Sequence, residues 1–210
     1  MHTENVLQKL RVVCLCAGFV TALLIGCNIL SVYAQEDMSM KTLIVYYSRT
    51  GNTRVTCETL QKALGCDILE IKDLKSREGG WGFFTGAIGS LFNTHTKIDP
   101  AQPDLTSYDS VIIGSPIWAG KLSTAIRTFI AKNRFDGKKI VLFTTTNVFE
   151  KEGSKNKAKK MVTESGGQVV GSFQIAVTEK INEEKIERSQ SLIEEDAVKL
   201  TGEIKKVLTQ

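Results

Sequence analysis

The sequence is short of proline, short of usable cysteine and short of net charge. Three prolines in 210 residues rule out a proline-rich linker, and no low-complexity tract or internal repeat is present. The five cysteines show no CxxC and no metal-ligand spacing, so no metal site is expected. Three of them (Cys14, Cys16 and Cys27) lie in the N-terminal segment. Cys57 and Cys66 read as two small buried residues, with a disulfide open to them only in an oxidising compartment. A formal charge of +4 is too mild to imply nucleic acid. What remains, 42% hydrophobic and 24% charged residues, is the composition of an ordinary globular protein.

The first 37 residues differ from the rest. Lys9 and Arg11 precede an uncharged run from Val12 to Gln35, the pattern of a targeting segment. Val32-Tyr33-Ala34 has the small-residue ending of a signal-peptidase site. Leu24-Ile25-Gly26-Cys27 looks like a bacterial lipobox, with Cys27 as the lipidated residue. Val12 to Tyr33 is also long enough for an uncleaved membrane anchor, its basic flank on the cytoplasmic side. Each reading divides the chain into a leader or anchor, 1–37, and an exported or membrane-anchored domain, 38–210. Translation from Met38 or Met40 would instead give a cytoplasmic protein. Removing 1–37 takes away Lys9 and Arg11 but also Glu4, Glu36 and Asp37, so the domain is one unit more positive than the whole chain.

Within the domain, strand-like and helix-like patterns alternate. Thr42–Tyr47, Cys66–Ile71, Ser110–Gly114, Lys139–Thr144 and Gln168–Val177 read as five strands, continuous apolar or β-branched runs rather than alternating ones. Thr53–Leu64, Leu122–Ile130, Ser154–Ser165 and Asn182–Leu208 read as helices, the first stopped by Gly65. The last carries a stripe of Ile186, Ile193, Ala197, Leu200, Ile204 and Leu208. This order predicts an α/β three-layer sandwich around a five-stranded parallel sheet. Ligands of such sheets sit beyond the carboxyl ends of the strands. The informative loops are therefore Ser48–Thr53, Ser115–Gly120 and Thr145–Gly153. Between strands two and three, Trp81, Phe84, Ala87, Ile88, Leu91 and Phe92 have helical spacing broken by glycines. Arg77–Phe92 reads as a packed helix or as a flap over the ligand site, and His95 as a solvated loop residue.

Ser48-Arg49-Thr50-Gly51-Asn52-Thr53 joins the first strand to the first helix. Amides at a helix N-terminus point outward, and the helix dipole favours an anion there. Gly51 permits the turn and close backbone approach. Ser48, Thr50 and Thr53 add hydroxyls, and Asn52 can cap or donate. The loop lacks the Lys of a G-x-x-x-x-G-K-[ST] phosphate loop and lacks G-x-G-x-x-G. Nucleoside triphosphate hydrolysis and dinucleotide binding are both disfavoured; a single phosphate monoester suits the cradle.

Here the sequence resembles the flavodoxins. S-R-T-G-N-T matches their [ST]-x-T-G-x-T phosphate loop. Gly114-Ser115-Pro116-Ile117-Trp118-Ala119-Gly120 is similar to the G-[ST]-P-[IV]-[WY]-x-G loop of flavodoxin-like proteins. The resemblance runs from Lys41 to the C-terminus and implies strand order 2-1-3-4-5 with FMN as cofactor. It implies that Ser48, Arg49, Thr50, Gly51, Asn52 and Thr53 hold the phosphate. It places Ser115, Pro116, Ile117, Trp118, Ala119 and Gly120 against the flavin ring. The third loop departs from the family's T-S-G-G: Thr145, Thr146 and Phe149 are its candidates for the ring. Charge departs too, since electron-transfer flavodoxins are typically acidic. Lys155, Lys157, Lys159 and Lys160 read as a solvated face or as a docking surface for an acidic partner or anionic membrane.

No acid, base or nucleophile of the protein's own is evident, so no catalytic residue is assigned. The expected function is an FMN electron carrier working with redox partner proteins. The alternatives are an FMN-dependent NAD(P)H:quinone-type reductase and a weakly flavin-binding adaptor.

Overall fold

The computed structural model describes residues 40–75, 95–147, 152–181 and 184–210. The leader or anchor assigned to 1–37, the Arg77–Phe92 segment and Phe149 lie outside the described residues. Among the described residues no helix is long and apolar enough to cross a membrane.

Four strands carry most of the sheet. Strand β1 is Thr42–Tyr46, β5 is Ser110–Trp118, β7 is Lys139–Thr146 and β8 is Gln168–Ala176. With β2 (Asp67–Glu70) they lie in the order β2-β1-β5-β7-β8, every neighbouring pair parallel. In terms of the five main strands this is the expected 2-1-3-4-5. Short strands β3 (Lys72–Asp73) and β4 (Ile98–Asp99) pair antiparallel beside it.

Helices α1 (Asn52–Leu64), α2 (Thr124–Lys132), α3 (Glu152–Glu164) and α4 (Gln190–Thr209) cover both faces. The pleat of β1 shows why. Leu43 and Val45 join one buried cluster with Ala125, Ile126 and Phe129 of α2 and Ala158 and Val162 of α3. Ile44 and Tyr46 point the other way, into a cluster with Cys57 and Leu60 of α1 and Ile193, Ala197 and Ile204 of α4. A strand buried on both faces has no polar side to show, hence the unbroken apolar runs. Cys57 and Cys66 are both free thiols. Burial pushes the Cys66 thiol up to about 11 and that of Cys57, fully buried, higher still.

Two boundaries differ from the sequence reading by more than two residues, and β7 runs on to Thr146, so Thr145 and Thr146 are strand rather than loop. Strand β5 runs four residues past Gly114, because it folds back on β6 (Lys121–Leu122) as an antiparallel hairpin. Ser115–Trp118 is therefore strand, not loop. Pro116 is tolerated there because β1 ends at Tyr46, opposite Gly114, and leaves that side of β5 without a ladder partner. The last helix begins at Gln190, eight residues later than expected. Its place is taken by a hairpin of β9 (Thr178–Ile181) and β10 (Glu184–Glu187). Ile186, read as part of the helix stripe, is 41% exposed in that hairpin. Ser189 sets the true start, its side chain accepting from the Leu192 N–H.

Candidate flavin site

The register aligns three chain segments at one end of the sheet. Tyr46 of β1 stands opposite Gly114 of β5, and Gly114 opposite Phe143 of β7. The chain leaving β1 forms Ser48–Thr53, that leaving β5 forms the 115–120 segment, and β7 ends in Thr145 and Thr146. Strand β5 must pass close to β1 and α1 here. A Cβ on Gly114 would sit 2.6 Å from the Cys57 Sγ and 2.8 Å from the Tyr46 Cβ, so glycine is required by space.

In the first segment Gly51 occupies the N-cap of α1 with φ 97°. A Cβ there would meet nothing within 4 Å among the described atoms. Glycine is needed for the backbone angle rather than for room. No side chain caps α1. The contrast with the other helix starts is informative: Ser123 and Ser189 each accept a backbone amide at α2 and α4. At α1 the cap position is Gly51, which has no side chain to offer. Ser48 Oγ instead accepts from the Gly51 N–H at 3.2 Å, which braces the turn from within. Arg49 and Thr50 are exposed, Asn52 is half-buried and Thr53 is buried. Arg54, one turn into the helix, donates to Glu70 Oε1 at 2.6 Å and ties the start of α1 to the end of β2.

The three segments bind one another pairwise. Thr53 Oγ1 and Thr145 Oγ1 share a buried hydrogen bond of 2.7 Å, joining the first segment to the third. The ring of Tyr47 meets that of Trp118 edge-on, centroids 5.7 Å apart and planes at 90°, joining the first to the second. Pro116 stands opposite Thr145 in the ladder, joining the second to the third. Trp118 is buried, as are Thr145 and Thr146 at the end of β7. Burial also raises the Tyr46 hydroxyl above the ordinary tyrosine value, against the pull of its hydrogen bond to Arg54.

The second segment turns sharply. Ala119 and Gly120 have φ of 48° and 73°, the positive pair of a two-residue hairpin turn. Ala119 is exposed, and Pro116, Ile117 and Gly120 are half-buried. Ser115 is directed inward. Its fully buried hydroxyl donates to the Pro116 carbonyl at 2.9 Å and accepts from the Ser123 N–H at 3.0 Å, locking the hairpin to the first turn of α2. Sequence reasoning missed Ser123 and Tyr47 as supports of the site. Ser123, immediately before an apolar helical stripe, carried an N-cap signal; Tyr47 carried none that separated it from the strand.

A family profile described as the flavodoxin domain matches residues 85–185. No curated protein matches the chain. Among solved structures, a flavoprotein from Lactobacillus acidophilus NCFM, in complex with FMN, aligns at 22% identity and TM-score 0.56. That alignment covers 65% of this chain and 93% of the other. A candidate flavoprotein from Bacteroides eggerthii DSM 20697 aligns at 21% identity and TM-score 0.56, covering 77% of this chain and 99% of the other. A third, from Bacteroides uniformis ATCC 8492, aligns at 20% identity and TM-score 0.55, covering 74% and 96%. The 2-1-3-4-5 parallel sheet and these alignments give the chain a flavodoxin-like fold, and the profile it matches over 85–185 is that of the flavodoxin domain.

Proposed function

We propose that the domain binds FMN at the carboxyl end of the sheet and serves in electron transfer. The observation that carries this is the start of α1. With Gly51 at the N-cap and no side-chain cap, Ser48 and Thr50 before the helix and Asn52 and Thr53 in its first turn, α1 presents its first amides outward. Those amides and the positive end of the helix dipole suit a phosphate. Thr50 stands exposed beside the turn with its hydroxyl available to the same group.

The flavin would supply the redox chemistry itself; the chain's part is to bind, orient and exclude water. Ser48–Thr53 would hold the phosphate, and the Trp118–Gly120 turn and the end of β7 would flank the ring. The pairwise links among the three segments fix their spacing before any ligand arrives. Preorganisation of this kind lowers the ordering cost of binding. The L. acidophilus flavoprotein, similar in fold, was solved in complex with FMN, which supports the choice of cofactor. Electron transfer is the reading because the flavin carries the chemistry itself and the described residues of the three segments are hydroxyl, amide, apolar and aromatic groups apart from Arg49.

The test is the visible spectrum of the full-length protein after incubation with FMN and desalting. A retained, structured flavin band is expected, weakened about tenfold in affinity by Thr50→Ala, the loss of one charge-assisted hydrogen bond. NAD(P)H oxidation with a quinone acceptor should be absent; turnover would move the reading to a reductase. A folded protein that never retains FMN would overturn the proposal.

A further inference from the structure

Helix α4 runs for 20 residues and is about 30 Å long. One face is buried on the sheet through Ile193, Ala197, Thr201, Ile204 and Leu208. The opposite face carries Glu194, Glu195, Val198, Gly202, Lys205 and Lys206, all exposed. Steps of three and four residues relate these positions, so they form one stripe along the helix.

Two members of the stripe are out of place on a solvated face. Val198 is 56% exposed. Gly202 stands in the helix interior, where glycine is less stable than alanine. A Cβ there would meet nothing within 4 Å among the described atoms, so packing within the chain does not require glycine. The missing side chain leaves a hole one turn from Val198 and lets another backbone come close. Charge along the stripe also changes sign. Glu194 and Glu195 precede Val198, and Lys205 and Lys206 follow Gly202. The first turn of α4 holds no acidic residue. The helix dipole acts within the terminal turn and so does not account for the two glutamates. Glu195 lies 2.8 Å from Lys199 of the same helix. Among the described residues, Glu194, Lys205 and Lys206 are in no ion pair.

We propose that α4 docks antiparallel on α4 of a second copy of the chain, about a two-fold axis level with Leu200. Val198 of each copy then packs beside Gly202 of the other. Glu194 comes beside Lys205 of the second copy, and Glu195 beside its Lys206. The change of sign selects this arrangement, because parallel helices would set Glu against Glu and Lys against Lys. A two-fold interface makes each contact twice, so one substitution acts at two places. A single helix crossing buries less than a standard interface of about 1,600 Å², which puts the dimer in the weak, transient class. The inference does not depend on flavin binding.

Sedimentation equilibrium of the full-length protein provides the test, from about 10 µM to about 500 µM, the range of a weak interface. Concentration-dependent dimers are expected, and fewer of them in about 0.5 M salt. Glu194→Lys and Lys205→Glu should each weaken the dimer by about fivefold, since each removes two exposed ion pairs. The double variant should recover the wild-type affinity, because it restores both pairs with their signs exchanged. Positions 194 and 205 are about three turns apart on one helix, so no contact within a chain can give that recovery. Gly202→Gln should stabilise the monomer against urea, yet weaken the dimer by about tenfold or more by filling the hole. All three positions are exposed, so the variants keep the fold. A monomer throughout the range, an association that these variants leave unchanged, or no recovery in the double variant would each overturn the proposal.

Discussion

The hydroxyls of Thr53 and Thr145 meet at 2.7 Å across 92 residues of chain. Both side chains are buried, at 2% and 4% exposure. A hydroxyl removed from water needs a partner, and a buried one left without it costs about 1–3 kcal/mol. Valine keeps the shape of threonine and removes only the hydrogen bond. Thr53→Val should therefore destabilise the protein by about 1–3 kcal/mol, and Thr145→Val by a similar amount. The double variant should lose clearly less than the sum, because no orphaned hydroxyl remains. Urea unfolding of the four proteins measures the coupling energy. A value near zero would mean that the bond does not join the two segments in solution. The single variants should also weaken FMN.

At the scale of elements, the β5–β6 turn stores strain. Ala119 adopts φ 48°, where a Cβ costs about 1–2 kcal/mol. A two-residue turn with two positive φ values favours Asn-Gly, and Gly120 already fills the second place. Ala119→Asn should stabilise the flavin-free protein by about 0.5–1 kcal/mol, or about 1–4 °C in Tm for a domain of this size. Gly120→Ala should do the reverse. A calorimetric scan decides between them; a lower Tm for Ala119→Asn would mean that the alanine methyl makes a contact worth more than the strain.

The same turn marks the limit of what the sequence reveals about elements. All five main strands and four helices were legible, because burial on both faces produces unbroken apolar runs. The end of β5 was not, since Pro116 reads as a strand breaker unless the end of β1 is known. The β9–β10 hairpin was hidden because Glu184-Lys185-Ile186-Glu187 continues the polar and apolar spacing of the helix behind it. Only the Ser189 cap separates the two. Of the site, the positions of Ser48–Thr53 and of the Trp118–Gly120 turn could be read from motifs. The inward aim of Ser115 could not, because its partner Ser123 is brought near only by the hairpin.

For the molecule as a whole, charge is the property that separates this domain from acidic electron carriers. The domain beyond residue 37 is one unit more positive than the chain's formal +4. Lys157, Lys159 and Lys160 are exposed on α3, with Lys155 half-buried beside them, on the helix that follows the third candidate segment. Reduction of a bound flavin adds negative charge at the end of the sheet. A positive surrounding stabilises that charge, so the lower one-electron potential should be less negative than in an acidic flavodoxin measured under the same conditions. About 1.4 kcal/mol corresponds to roughly 59 mV for one electron. In water a unit charge at an assumed distance of about 15 Å contributes only about 0.3 kcal/mol. Changing all four lysines to Glu should therefore lower the potential by on the order of 50 mV at low salt, after partial screening. The shift should shrink in about 0.5 M salt, where exposed charges are screened within a few ångströms. Potentiometric titration of wild type and quadruple variant at two ionic strengths tests both statements. An unchanged potential would place the control of redox in the groups touching the ring and leave the lysines to recognition of a partner.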